Sequence, residues 1–533
     1  MYNYYDTIII GGGLAGLVTA YELLRSPYKG SILVVEQNSI KCLGGLARQA
    51  FGGMLLVDTP LQKVNRIKDS KELASKDWQN FAEFTSADYW PQQWAEHYIQ
   101  SSFKLWQWLM SLKLRFFPVV QWVERGLYIP GNSVPRYHIL WGTGNRLISQ
   151  LIAGISQQND TQQLSIRYQH TVQSISQDTS GIYELSAVIG SGQTHHYRCH
   201  SLVVAAGGVA GNLEQVKKLW RIGSEPKGLL NGSHPAADGR MHHQVKQLGG
   251  NITHLDKMWN YAAGIHHPTP LFAGHGLSLI PAKSALWLNA KGERIGPEPL
   301  ITGYDTHFLC QQVARESAGY TWQVLNKRIA LKELAISGAE HNPSLRDRKL
   351  IQFLLESLRG NHQLVEYLVR QSDDVVIASS IIELANKMNE ISGSFNVSGH
   401  TLKNTIHCYD QHINRGEQFY NDDQLRRIKQ LRTWRGDRVR TCQIKPIDDP
   451  KAYPLMAIKL HLISRKTLGG IQTNLASQVL QQNHQVAENL YAVGEAAGFG
   501  GGGMCGKRSL EGTFLTGCIL TAMNAAANII KTQ

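Results

Sequence analysis

An α/β fold built from both ends of the chain, with an α+β unit inserted between them, follows from three features of this sequence. The N-terminus carries a strand–glycine turn–helix–strand unit between Asp6 and Glu36. A second buried strand, Ser201 to Ala206, runs straight into Gly207-Gly208. Near the C-terminus, a strand around Leu490 to Val493 opens into a glycine-rich loop and then a small-residue helix from Thr513 to Ile530. Buried strands that each end in a glycine turn are the pattern of an open, doubly wound sheet whose ligand sits beyond the strand ends.

Residues 6–10 (DTIII) form a short apolar run, which predicts a buried strand. Gly11-Gly12-Gly13-Leu14-Ala15-Gly16 follows at once, Leu17 to Leu24 has helical periodicity, and Ser31 to Glu36 (SILVVE) reads as a second strand. Glu36 stands twenty residues after Gly16, which completes a dinucleotide fingerprint of the G-x-G-x-x-G kind. Gly11 permits the tight turn, Gly13 lets the backbone approach a pyrophosphate, and Gly16 lets helix and strand pack closely. The helix N-terminus faces the phosphates and Glu36 accepts from ribose hydroxyls.

Residues 54–150 predict a mostly helical insertion rich in tryptophan (Trp78, Trp90, Trp94, Trp106, Trp108, Trp122 and Trp141), read as core. Strand-like alternation resumes at 164–170 and 183–189. From about 255 to 445 the pattern is mixed helix and loop, and strand and glycine signals return at 467–470 and 490–503. The expected division is a first part of the cofactor domain at 1–254, a capping and substrate domain at 255–445, and a second part of the cofactor domain at 446–533.

Composition limits the function classes. The 533 residues are 42% hydrophobic and 18% charged, which is ordinary for a globular protein. No apolar run reaches the ~18 residues needed to span a bilayer. Met1 to Tyr21 lacks a basic n-region and is broken by three glycines, so it reads as mature protein with the cytoplasm as default compartment. Seven scattered cysteines without a CxxC or CxxCH argue against a disulfide framework, a zinc site or a c-type haem. Electrons must then travel through an organic cofactor, and no metal is expected. The net charge of +13 favours anionic partners. Its densest run lies between Arg426 and Arg440; it reads first as a solvated helix face, then as steering of an anionic substrate or contact with a membrane surface. No recognition motif accompanies it, so nucleic acid is not expected.

Three features favour FAD over a nicotinamide. Glycines at Gly44-Gly45 and Gly52-Gly53 follow the second strand, where backbone amides could approach a long cofactor. Leu490 to Ala496 is a strand ending in Gly494-Glu495, placed where a carboxylate takes the ribityl chain in two-ended flavoprotein folds. No second complete fingerprint exists: Gly190-Ser191-Gly192 lacks its third glycine, and Gly498 to Gly503 has no following strand with an acid. The candidate cofactor residues are Gly11, Gly13, Leu14, Ala15, Gly16, Glu36, Gln37, Gly44, Gly45, Leu46, Gly52, Gly53, Val172, Ala206, Gly207, Gly470, Gly494, Glu495 and Thr513.

With these segments in place, the chain resembles the fumarate reductase/succinate dehydrogenase flavoprotein superfamily. The resemblance is nearest to the branch of FAD-binding dehydrogenases related to 3-ketosteroid Δ1-dehydrogenases. It runs from the fingerprint through SLVVAAGGVAGN to GEAAGFGGGG and RSLEGTF. It implies a two-ended Rossmann-like FAD-binding domain with an inserted α+β capping domain. Leu46 stands where covalent members carry a flavin-bonded histidine, so FAD is expected to be non-covalent. Lys466 (KTLGG) matches the histidine of an HTMGG segment, and Arg508 (KRSLEGTF) matches the arginine that holds a substrate carboxylate. Tyr304 (LITGYD) stands where ketosteroid dehydrogenases carry a tyrosine base, and His267 (HPT) resembles a substrate-binding histidine.

The implied reaction moves two hydrogens across a C–C bond next to a carbonyl or carboxylate, with Tyr304 as proton acceptor or donor. The substrate is then a small molecule, anionic or steroid-like, and the electron donor or acceptor has no name at this stage. An FAD-dependent amine or hydroxyl oxidase is the first alternative, disfavoured because no aromatic cage is recognisable. The second is a flavoprotein with structural FAD and a basic RNA- or membrane-binding surface.

Overall fold

The computed structural model describes residues 2–159, 162–221 and 225–532. Tyr2–Ile10 is the middle strand of a parallel sheet, with Thr7 opposite Ile32 in Ile32–Val35 and Ile10 opposite Val204 in Thr194–Val204. Leu164–Arg167 extends the sheet beyond Ile32–Val35, and Val486–Ala492 extends it beyond Thr194–Val204. Strands from both ends of the chain therefore share one sheet. All four residues of Ile32–Val35 are buried, and so are Ile8, Ile9 and Ile10, as expected of a parallel sheet covered on both faces. An antiparallel arm, His170–Gln177 with Tyr183–Ile189, pairs with the first half of Thr194–Val204.

Two helices pack on each other over this sheet: Leu14–Leu24, which leaves the glycine turn, and Thr513–Thr532. The second is long and apolar enough to cross a bilayer, but 72% of its apolar window is buried inside the protein. It is a core helix, rich in Ala, Gly and Thr, whose small side chains admit close packing.

The inserted unit is a second sheet organised by one long strand, Leu455–Thr467. Its first half is flanked by Thr321–Asn326 and Val375–Ala378, its second by Met258–His266 and Leu230–Asn231. This shifts the expected domain limits. The cap takes its first strand from Leu230–Asn231, and the chain returns to the cofactor domain after Thr467 instead of at 446. The long strand escapes a periodicity reading because it is buried along nearly its whole length, so Lys459 and His461 interrupt an apolar run without setting up an alternation.

The 54–150 insertion is mostly helical, with Lys71–Ala82, Tyr89–Gln100, Ser102–Ser111 and Thr143–Gln158, plus a two-stranded pairing of Gly53–Leu55 with Tyr137–Ile139. Trp78, Trp94 and Trp108 lie in its core, as expected. The seven cysteines are all unpaired.

A buried ion cluster holds the insertion together. The Arg136 guanidinium, 1% exposed, donates to Asp69 at 2.8 Å and to Asp77 at 2.6 Å. Asp77 also accepts from the Ser133 amide at 2.8 Å. Removing the cation leaves two buried carboxylates facing each other, so Arg136→Ala is expected to cost roughly 3–5 kcal/mol. Urea denaturation checks this, and an unchanged midpoint would show that the cluster is relaxed by water.

Candidate active site

The cofactor cleft opens at the ends of the parallel strands, where the glycine turn has no room for a side chain. A Cβ on Gly11, which sits at φ +106°, would lie 2.5 Å from the Ala205 carbonyl oxygen, and one on Gly16 would lie 2.0 Å from the Gly11 oxygen. Gly13 instead faces open space, the position from which a backbone can approach a ligand. Glu36 is buried at the end of the second strand; its carboxylate accepts from the Gly12 amide at 2.8 Å and from the Asn38 amide at 2.7 Å.

Most of the expected cofactor residues line this one cleft: Gly11, Gly13, Leu14, Ala15, Glu36, Gln37, Gly44, Gly45, Leu46, Val172, Ala206, Gly207 and Glu495. Gly16 and Gly494 support it from behind, Gly494 against Ala15 and Cys518. Gly470 packs on the Ala496–Gly498 backbone and Gly52 on Thr143. Gly53 serves the insertion instead of the cofactor. A Cβ there would fall 1.8 Å from the Tyr137 ring, so the glycine makes the seat for that tyrosine. Thr513 does not line the cleft; its buried hydroxyl pairs with Ser509 Oγ at 2.9 Å.

Sequence reasoning missed the segment His234 to His242, which also lines the cleft, with the Gln37 side-chain amide 3.4 Å from the Ala236 carbonyl. Its signal was present as Asp238-Gly239-Arg240, a left-handed glycine at +81° that starts the helix Arg240–Gln247. Three features of the cleft suit FAD: the glycine turn and acid at one end, the Glu495 carboxylate at the other, and the buried His242 Nε2 without a partner among the described residues. Burial pushes the His242 pKa down to about 4, so the ring is neutral at physiological pH. Leu46 carries no atom that could bond a flavin.

A second, largely apolar cavity lies between the cap and the insertion. Phe51, Ile139, Ala262, Ala263, Leu279 and Leu309 supply its apolar wall. Tyr137, Tyr261 and Glu511 line it together. The Tyr261 hydroxyl donates to the Glu511 carboxylate, 3.1 Å from Oε2 and 3.3 Å from Oε1. Burial raises the pKa values of Tyr261 and Tyr137, with the nearby Glu511 charge adding to both. Burial also raises that of Glu511, although Lys466 and Arg465 oppose it.

Lys466 stands between the two spaces. Its neighbours in charge include Glu511, on the cavity, and Glu495, on the cleft, and its ammonium lies 4.6 Å from the centroid of the Phe514 ring. Burial and the adjacent Arg465 guanidinium lower its pKa to about 8. It lines neither space itself, but of the expected catalytic residues it is the one with charge neighbours on both cleft and cavity.

The other three sit elsewhere. Tyr304 does not line the cavity; its hydroxyl is 3.0 Å from both the Arg427 carbonyl and the Gln430 side-chain oxygen. Its ring packs with Ile301, Ile428 and Leu431, and burial pushes its pKa up to about 12. The local backbone explains the direction: the insertion docks there, with the Gly126 amide donating to the Tyr304 carbonyl at 2.8 Å. Arg508 is buried and already engaged, 3.0 Å from Asp305 in the cap and 2.5 Å from Glu83 in the insertion. Its Nε and Nη1 are held by Asp305 and Glu83, which makes it a clamp between those units. His267 is buried outside the cavity, stacked on His275 with ring centroids 4.2 Å apart, and its Nδ1 accepts from the Thr269 amide at 3.0 Å.

The family model described as FAD binding domain matches residues 6–515. The chain belongs to this FAD-binding family. Its relatives include a KsdD-like steroid dehydrogenase of Mycobacterium tuberculosis, 38% identical over 98% of this chain and 94% of that protein. Another, of Mycolicibacterium smegmatis, is 37% identical over 96% of both. Among solved structures, the fold is shared with the 3-ketosteroid Δ1-dehydrogenase of Sterolibacterium denitrificans, with a TM-score of 0.70, 14% identity and 100% of both chains covered. It is also shared with a flavocytochrome c3 fumarate reductase, with a TM-score of 0.68, 16% identity, and 99% of this chain and 78% of that one covered.

This member of the FAD-binding family is therefore an FAD-dependent oxidoreductase that acts at a CH–CH bond next to a carbonyl. The amine or hydroxyl oxidase reading finds no support among these relatives.

Acid precipitation of the purified protein is expected to release its FAD into the supernatant. Yellow colour retained in the washed precipitate would contradict the non-covalent assignment made from Leu46.

Proposed function

We propose that the substrate is a rigid, apolar, steroid-like ketone, and that Tyr137, Tyr261, Glu511 and Lys466 handle its carbonyl oxygen and its proton. One observation carries the reading. The largely apolar cavity is lined by two phenols and a half-buried carboxylate, and a lysine whose charge neighbours include Glu511 and Glu495 lies between that cluster and the cofactor cleft. The 37–38% identity to proteins named steroid dehydrogenases supports the same substrate class. The engaged state of Arg508 weighs against a dicarboxylate.

FAD, when bound in the cleft, takes up or supplies the hydride of the β-carbon. The residues do the rest. In the dehydrogenating direction, Tyr137 donates to the substrate carbonyl oxygen and so makes the neighbouring C–H more acidic. The proton leaving that carbon goes to the Tyr261 oxygen, as the phenol's own proton passes to the Glu511 oxygen 3.1 Å away. The raised pKa of Glu511 makes it a better proton acceptor than a solvated carboxylate. The Lys466 ammonium stabilises negative charge that develops between cavity and cleft, in a position fixed before the reaction starts. In the reducing direction each transfer runs backwards, and the raised pKa of Tyr261 is then no handicap to an acid.

Tyr261→Phe is expected to keep the FAD spectrum and lose roughly 10²–10⁴-fold in kcat on a ketosteroid, the range of a positioned acid or base. Tyr304→Phe should keep turnover close to wild type; the opposite pattern would return the proton role to Tyr304. The pH profile adds a second readout. Lys466 is cationic below about 8, so wild-type kcat should fall as pH rises through that value. Lys466→Met should be slower and lack that limb. A limb unchanged in the variant would assign it to another group.

A further inference from the structure

The helix Leu350–Arg359 breaks the usual rule for an amphipathic element. None of its residues is buried. Its apolar residues face outward: Leu350 is 54% exposed, Ile351 77%, Leu354 48%, Leu355 43% and Leu358 76%. Its other side carries Phe353, which lines the apolar cavity and packs on Phe117 with centroids 5.1 Å apart. A contiguous exposed apolar strip of this kind marks an interaction surface.

The surroundings of the strip are basic. Arg348 and Lys349 precede it and Arg359 ends it, all exposed. The adjacent helix Arg435–Arg440 adds exposed Arg438, Val439 and Arg440. Beside both helices runs a groove lined by eight lysines and arginines and by no acidic residue. Three of them are engaged locally, Arg328 with Asp449, Lys332 with the Ser357 carbonyl and Arg432 with the Thr441 carbonyl; Arg438, Lys445 and Lys451 are exposed. The charge run singled out in the sequence divides here. Arg426 and Lys429 pair with Asp423 and Glu417, Arg427 lies over the Tyr304 ring, Arg432 is bonded to the Thr441 carbonyl and Arg435 is tied to Asn65, which leaves Arg438 and Arg440 on this face.

We infer that this face of the cap docks on the surface of an anionic lipid bilayer. In the docked state Leu350, Ile351, Leu354, Leu355 and Leu358 sit among the acyl chains, and the flanking cations meet the headgroups. Leucines on one side with lysine and arginine around them are the composition of a helix that lies in the interface plane. A two-fold contact with a second copy fits the charge less well, because it would set two clusters of the same sign against each other. Bilayer contact also has a use that rests on the steroid-like substrate proposed above. Phe353 and Arg440 line the cavity from this side, so an apolar substrate could pass from lipid to cavity with little exposure to water.

The test uses the holoenzyme and sucrose-loaded vesicles, sedimented at low and at physiological salt. Vesicles of phosphatidylglycerol and phosphatidylcholine should carry the protein down, pure phosphatidylcholine much less, and added salt should weaken binding. Leu354→Glu with Leu358→Glu, at exposed positions outside the cavity lining, should weaken binding at least tenfold and leave turnover of a detergent-dispersed substrate unchanged. Failure to bind anionic vesicles at low salt would overturn the inference, and so would equal binding by the double variant. A wild-type dimer in solution that the double variant converts to monomer would assign the strip to a second copy instead. The sedimentation and oligomer readouts do not depend on which substrate the enzyme turns over, so this inference and the steroid assignment fail separately.

Discussion

The Thr467 amide donates to the Glu495 carboxylate at 2.9 Å, and the Thr467 hydroxyl accepts from the Val209 amide at 2.8 Å. These two bonds tie the end of the cap's longest strand to the floor of the cofactor cleft. Much of the site's geometry follows from them. With Thr467 held, the preceding Lys466 sits between cleft and cavity. Trp259 and Tyr261, on the strand paired with Lys466 and Ile463, are placed over Glu511 and Phe514. Cap and cofactor domain are thus connected through a hydrogen-bonded backbone as well as through side chains.

The buried charges are divided between holding and reacting. Arg508 holds: with Asp305 on one side and Glu83 on the other, it neutralises two carboxylates at the seam of three segments. Glu124 works beside it, its raised pKa set first by burial and then by Asp305, with Thr306 bonded to its carboxylate. In the proposed mechanism Lys466 and Glu511 react. Each has its pKa moved by burial towards the neutral form while the other's charge pulls it back.

What was legible in the sequence was what is local. Gly11 to Gly16 and Glu36 lie within one βαβ unit, and the structure places them together at the cofactor cleft, Gly16 just behind it. Tyr304 and Arg508 show the limit. Their places along the chain match residues that carry chemistry in the resembling families, but a place in sequence does not set a side-chain direction. The Tyr304 phenol bonds to a helix carbonyl within the cap, and Arg508 is held between two acids from remote segments. The residues that do meet at the cavity come from remote segments: Tyr137 from the insertion, Tyr261 from the cap and Glu511 from the C-terminal part. Glu511, three residues after Arg508, lay within a segment already singled out. Tyr137 was hidden because its only mark is Gly53, far back in the chain, which makes room for its ring.

The central claim is that the cavity beside Lys466 takes an apolar ketone, with FAD in the adjoining cleft. Anaerobic spectrophotometry of the holoenzyme tests it most directly. Addition of a saturated 3-ketosteroid should bleach the flavin, or the matching enone should reoxidise the reduced enzyme, whereas succinate and fumarate should do neither. Redox exchange with the dicarboxylates and none with the ketosteroids would contradict the account.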